Sequence, residues 1–376
     1  MPGPWSILGV LGVLGVLAWF GSALGWFGSA LLSMPPPELR LGTRGSQLAL
    51  WQARAVAARL AEAGGPACRI VVIRTMGDRL QDVRLSEAGG KGLFVKEIEE
   101  ALLRDEIDLA VHSSKDMPAL LQDGLTIAAV LPREDPRDAV VLPLSAADSE
   151  IVGGETIDQR RSAVITLEDL LLRLGQSPRI GTGSVRRVSQ ITRLMPGANF
   201  LGIRGNLDTR LRKLDDGGYD ALVLAAAGLR RLGFAARISL ALPASACVPS
   251  PGQGIVAIET RADDDHVRRI VAGIDDPAAA DALAAERALV AALGGGCQTP
   301  IGALASPVDG DELELLAAVV SLDGSRAVRG QARGPRRDAA ALGARVGAQL
   351  LADGADQILV DARAQTVDSR PLSIDP

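Results

Sequence analysis

Aromatic side chains are nearly missing from this chain, at 3% of 376 residues, so its cores cannot rest on stacked rings and nucleobases would find no stacking platform. Histidine is rarer still: His112 and His266 are the only two, and neither stands at a spacing that would bind zinc or serve a cysteine. The three cysteines, Cys68, Cys247 and Cys297, are odd in number and far apart. That excludes a disulfide framework and a CxxC metal site, so no metal is expected and a reduced, cytoplasmic protein is. Nor is positive charge in excess, since a net charge of -5 argues against general affinity for nucleic acid or an anionic membrane. What is there is an aliphatic chain, 47% hydrophobic and 23% charged, of globular composition and long enough for two or three domains.

Residues 1–33 stand apart. From Trp5 to Leu32 the chain is apolar and Gly-rich, long enough to span a bilayer, and no charge precedes Glu38. A signal peptide needs a positive n-region and a lipoprotein signal an early cysteine, and both are lacking. Met34 is the expected true start, with MPPPELRLGTRGS running straight into the first strand; a membrane anchor is the rival reading, which N-terminal sequencing of native protein decides.

Beyond the Pro35–Pro37 spacer the pattern alternates. ELRLGTR (38–44) reads as a strand, Ser46 as the N-cap of a helix over 47–63, and RIVVIRT (69–75) as a buried strand. Over 93–107 Phe94, Ile98, Ala101 and Leu102 share a helical face, and DLAVHSS (108–114) follows as a strand, predicting an α/β domain with a parallel-rich sheet. The pattern restarts at PRIGTGSVRRVSQITRLM (178–195), NFLGIRGN (199–206) and YDALVLAAAG (219–228), which predicts a second α/β domain beyond a crossover near 132–137. Residues 145–163 read as a solvated insertion. A smaller C-terminal α/β domain carries a helix over 278–293, strands over 312–322 and 326–334 and a helix over 338–354, and the stretch after Val360 gives no signal.

Cys297 and four constellations besides it bear chemistry. Cys297 lies in GGGCQTPIG (294–302), after a helix that glycine stops. A lone cysteine is most often a small buried hydrophobe; here the loop is bare, and neither a basic neighbour nor a helix N-terminus activates the thiol, which suits a group alkylated once as a tether. Residues 179–213 hold eight basic side chains against one acid, Asp208. A charge run alone is often a solvated face, but Thr182, Ser184, Arg186 and Arg187 stand where a strand passes into a helix, and Arg204 and Arg210 follow the next strand, so a small polyanion is the expected ligand. VHSSKDMP (111–118) ends a strand with Asp116 as its only acid and Lys115 beside it. Asp116 reads either as a turn cap or as a carboxylate that stabilises a developing cation or shuttles a proton. Arg44 with Ser46 is a third group, and SPGQG (250–254) a fourth that reads equally as a hinge or turn.

From about Leu39 to Ala305 the chain carries, in order, LGTRGSQLAL, GGKGLFVKEIE, VHSSKDMP, REDPRDA, GTGSVRR, IRGNLDTRL, AAAGLRRLG, PGQG and GGGCQTPIG. This series resembles the porphobilinogen deaminase family, also called hydroxymethylbilane synthases. The resemblance implies two α/β domains built like a type II periplasmic binding protein, 34–132 with 254–273 and 137–248, with the active cleft between them. A smaller α/β domain, 277–362, carries the cofactor cysteine, and 363–376 is a tail. It implies a dipyrromethane cofactor held by a thioether on Cys297, and a reaction that joins four porphobilinogen molecules head to tail with loss of ammonia. Water finally releases hydroxymethylbilane.

By the same resemblance Asp116 is catalytic, its carboxylate facing the azafulvene cation that ammonia leaves behind. Arg44, Ser46, Ser113, Lys115, Asp116, Thr182, Ser184, Arg186, Arg187, Arg204 and Gln253 contact the cofactor, and Arg44, Lys91, Arg186, Arg187, Arg204, Arg210 and Arg231 bind substrate carboxylates. Glu87 departs from the lysine that many relatives carry before GGKG, which leaves Lys91 alone there. A monomer acting on a small molecule, without metal or nucleic acid, is expected. An anchored solute-binding protein for a polyanion would explain the arginines but leave GGGCQTPIG and Asp116 without a role, and a cysteine hydrolase lacks a histidine to serve Cys297.

Overall fold

A computed structural model describes residues 38–76, 95–144, 166–296 and 299–368. The apolar segment 1–33, the expected start at Met34, Phe94 and the insertion at 145–163 lie outside the described residues. Among the described residues, no helix is long and apolar enough to cross a membrane.

β1 (Leu39–Thr43) feeds α1 (Gln47–Glu62), which starts where the extended Ser46 accepts the Ala49 N–H at 3.3 Å. β2 (Cys68–Val72), α2 (Lys96–Leu103), β3 (Leu109–Ser113) and β4 (Leu125–Val130) follow. β5 (Asp138–Val141) opens a second series: α3 (Leu167–Leu174), β6 (Arg179–Gly181), α4 (Val185–Leu194), β7 (Asn199–Leu201), α5 (Leu207–Asp215), β8 (Ala221–Ala225), α6 (Ala226–Arg231) and β9 (Leu240–Ala241). β10 (Val256–Arg261) and α7 (Asp265–Ala272) return to the first sheet. The chain then makes α8 (Pro277–Ala292), β11 (Ile301–Val308), β12 (Glu312–Val320), β13 (Ala327–Pro335), α9 (Ala339–Ala352) and α10 (Ala355–Asp368).

The strand orders repeat. The first sheet runs β2-β1-β3-β10-β4 and the second β7-β6-β8-β5-β9. In each, the first three strands are parallel and the fourth, which arrives by a crossover from the other sheet, is antiparallel to both neighbours. This is the duplicated type II architecture that the resemblance implies. The third sheet, β11-β12-β13, is antiparallel and packs against α8, α9 and α10.

Aliphatic residues fill the cores, as the lack of rings demands. Leu41, Leu60, Leu109 and Ile258 are fully buried between the first sheet and its helices; each contributes about 1.5–3 kcal/mol by leaving water. Two expectations are corrected. The strand at 69–75 is not buried: β2 is the sheet edge, and its last residue, Val72, is 51% exposed. The stretch after Val360 is not featureless, since α10 continues to Asp368, held by Ala355, Ile358 and Leu359 in the third core, with Ala362 buried beyond them.

The two crossover segments run side by side. Glu134 N–H donates to the Gly254 carbonyl at 3.1 Å, and Gly254 has φ +88° with room for no side chain, because a Cβ there would fall 2.2 Å from the Glu134 oxygen. Arg133 carries this junction to the third unit: its guanidinium pairs with the buried Glu286 of α8 at 2.6 Å and donates to the Gln253 carbonyl at 2.9 Å. Glu286 also accepts the Gly252 N–H at 2.6 Å and the Ala305 N–H at 2.7 Å. A charge so fully bonded is tolerated in the interior, and it ties both crossovers to the helix that leads to the cysteine loop.

Candidate active site

The carboxyl ends of β3 and β6 carry the expected site residues, where open α/β sheets bind ligands. β3 passes into a 3₁₀ turn over Ser114–Asp116, closed by the Met117 N–H on the Ser114 carbonyl at 3.1 Å. Gly252 backs this turn at φ +71°, and a Cβ there would lie 2.6 Å from Ser114 Oγ. The PGQG glycines therefore serve close packing beneath the Asp116 loop as well as the crossover. Ser113 is engaged by Gln52 of α1, whose Nε2 donates to its Oγ at 2.8 Å. Lys115 and Asp116 are half-buried. Burial pushes the Lys115 ammonium down to about 8, against the pull of Asp116 and with the help of Arg187.

Across the cleft, Asp138 is the hub. It is fully buried at the start of β5 and takes Arg186 Nη1 at 2.6 Å, Arg187 Nη2 at 2.8 Å and Gln253 Nε2 at 2.9 Å. Burial alone would raise its carboxyl pKa, but the two guanidiniums and the bonds from Arg186 and Gln253 reverse this and hold it well below the usual range. Cys247 donates its thiol to Asp138 Oδ2 at 3.4 Å; burial and then that carboxylate push its pKa up to about 12, so this thiol stays protonated and inert. Arg186 and Arg187 are thus largely occupied inside the protein. Among the described residues, Arg186 Nε, Ser114 Oγ and Gln253 Oε1 are buried here without a partner.

Arg204 and Arg210 differ. Among the described residues no ion pair joins either to a carboxylate, and burial lowers both guanidinium pKa values, although Arg204 keeps much of its side chain in solvent. Arg187 and Arg204 lower Arg210 further and Asp116 raises it, which puts these residues in one electrostatic neighbourhood. Thr182 Oγ1 accepts the Ser184 N–H at 3.3 Å, and Ser184 caps α4. Arg44 and Ser46 stand at the start of α1. Arg231 ends α6, with its Nη2 on the Gly254 carbonyl at 2.7 Å.

An open cleft, whose empty space of about 630 Å³ includes open solvent, joins the three units. Lys115, Ser184, Arg186 and Arg287 line it, with Gly296 and Thr299 at one side. Cys297, Gln298, Lys91 and Glu87 lie outside the described residues, but Gly296 and Thr299 bracket the cysteine, and Thr299 Oγ1 donates to the Gly296 carbonyl at 2.6 Å. Sequence reasoning assigned no role to Asp138, Arg287 or Glu286. Asp138 alone gave a signal, an acid opening the aliphatic strand DAVV. The cavity is lined by cations and hydroxyls, and the turn that carries Asp116 forms part of its wall through Ser114 and Lys115, a set that can hold a polycarboxylate and stabilise positive charge beside it.

Sequence comparison agrees with this chemistry. The profile described as "Porphobilinogen deaminase, dipyromethane cofactor binding domain" matches residues 39–269, and that of the "Porphobilinogen deaminase, C-terminal domain" matches 280–352. Porphobilinogen deaminase of Geobacter metallireducens is 45% identical over 335 residues, 89% of this chain and 98% of that protein. Those of Syntrophobacter fumaroxidans (44%, covering 85% and 96%) and Moorella thermoacetica (43%, covering 88% and 98%) are similar to the same extent. Among solved structures, the BvgS periplasmic VFT2 domain of Bordetella pertussis aligns with 66% of this chain and 89% of its own at 15% identity and TM-score 0.34. With both family profiles in order and relatives matched almost end to end, the chain belongs to the porphobilinogen deaminase family.

Proposed function

We propose that this chain condenses four porphobilinogen molecules head to tail with loss of ammonia, on a dipyrromethane primer bound through a thioether to Cys297, and releases hydroxymethylbilane for tetrapyrrole synthesis. The observation that carries this is the cavity where the Asp116 turn, the start of α4 and both flanks of Cys297 meet. Its chemistry fits the group: the buried, unpartnered Arg186 Nε and the half-buried Lys115 suit the carboxylates of two linked pyrroles. When bound, dipyrromethane supplies the electron-rich pyrrole carbon on which the chain grows.

The protein's own residues bind, orient and neutralise. Thr182, Ser184, Lys115, Arg186 and Arg187 hold carboxylates at the α4 end, with Gln253 and Asp138 fixing the two arginines from behind. From the first domain Ser113, Arg44 and Ser46 add contacts to the cofactor in this reading, and Lys91 adds a substrate contact from the GGKG segment. Arg204 and Arg210, without carboxylate partners of their own, take the acetate and propionate of incoming porphobilinogen. Asp116 stabilises the cation left when ammonia departs and exchanges the protons of that step. The same reading takes the enzyme to be monomeric and cytoplasmic, in keeping with the free Cys68 and Cys247. A binding protein for a polyanion would need the arginines but neither Asp116 nor the cysteine loop.

Supplying porphobilinogen to the purified chain tests this, with ammonia release and hydroxymethylbilane as products; binding without ammonia release would favour the binding-protein reading. The pH profile tests Lys115. With a pKa of about 8 it is charged below that pH and neutral above it, so kcat/KM should fall as pH rises through about 8, and near pH 9 only about a tenth of the lysine remains charged. Lys115→Arg, charged throughout, should move that limb to higher pH; an unmoved limb would remove Lys115 from carboxylate binding.

A further inference from the structure

Trp51 belongs to none of the groups used above. It is the only tryptophan beyond residue 33, sits on α1 five residues past the Ser46 cap, and is 38% exposed. Its ring faces the second domain, where the guanidinium carbon of Arg231 lies 5.6 Å from the ring centroid, inside the reach of about 6 Å for a cation–π contact. α1 and α6 approach closely here, since Leu48 Cδ2 lies 3.8 Å from the Cβ position of Gly228. Arg231 ends α6 and donates Nη2 to the Gly254 carbonyl at 2.7 Å. Among the described residues no ion pair joins it to a carboxylate, and Glu134 acts on it only through space, while burial lowers its pKa. One edge of the guanidinium is therefore fixed by the crossover and one face by an indole from the other domain.

We propose that Trp51 is a positioning residue, which orients Arg231 across the domain interface so that the remaining edge of its guanidinium receives a substrate carboxylate. This rests on the deaminase reading and deepens it. A stacked arginine is oriented before the ligand arrives and loses less freedom on binding. Because the ring and the cation come from different domains, the contact also couples the approach of α1 and α6 to the readiness of the site.

The test uses full-length protein that already releases ammonia from porphobilinogen and carries the two-pyrrole adduct, so that failure of the deaminase reading appears first and separately. Trp51→Leu should raise KM for porphobilinogen about 3- to 10-fold with kcat within about twofold, the signature of lost binding shared by ground and transition states. Trp51→Phe, which keeps a π face, should bring KM back to within about twofold of the parent. In protein labelled with 5-fluorotryptophan, the Trp51 resonance, assigned by its loss in Trp51→Phe, should move in Arg231→Gln. Wild-type KM in Trp51→Leu, a Trp51→Phe variant as impaired as the leucine one, or a resonance indifferent to Arg231→Gln would each overturn the proposal.

Discussion

Asp116→Asn should lower turnover by about 10²–10⁴-fold, the range typical of losing a positioned acid–base group, while the folded state persists. Asparagine is nearly isosteric and fits the same 3₁₀ turn, whose closing bond from Met117 to Ser114 is made by the backbone. What it lacks is the negative charge. In the parent that charge lies among cations, raising the pKa of both Lys115 and Arg210, so the carboxylate is the anion this side of the cleft offers to a developing positive centre. An unchanged circular dichroism spectrum and melting transition beside the lost rate would separate chemistry from folding. Near-normal turnover would remove Asp116 from the mechanism.

Asp138→Asn should act on stability first. The carboxylate is fully buried and answers two adjacent guanidiniums. Neutralising it leaves Arg186 and Arg187 side by side in the interior without their anion, a loss of about 3–5 kcal/mol for a broken buried pair. Binding should weaken along with stability, because the same bonds from Arg186, Arg187 and Gln253 set the geometry at the start of α4. Urea denaturation of the variant beside the parent measures this. A change under about 0.5 kcal/mol, the scale of an ordinary surface substitution, would mean that the cluster is not the hub described.

Where local rules suffice, the sequence was informative. Ser46 caps α1 as its position before an apolar-periodic run predicts, and the strand-to-helix joints at β3 and β6 stand where the motifs put them, the second with Ser184 as the cap of α4. β11 escaped notice because Gly302 and Pro307 break its alternation; its partner β12 supplies the pairing that makes it a strand. β2 was misread because a run such as RIVVIRT does not say whether both faces or one will be covered. The Asp138 cluster was invisible for another reason. Its members come from the start of β5, from α4 and from the second crossover, as much as 115 residues apart, and no local pattern encodes that meeting. Trp51 and Arg231, far apart in the chain, likewise meet only because α1 and α6 approach each other.

The central claim is a covalent primer on Cys297, and the intact mass of the purified chain, measured beside a Cys297→Ser control, tests it most directly. The account predicts added mass equal to two linked pyrroles in the parent and none in the control. An unmodified Cys297 in soluble, folded protein that has been supplied with porphobilinogen would contradict it.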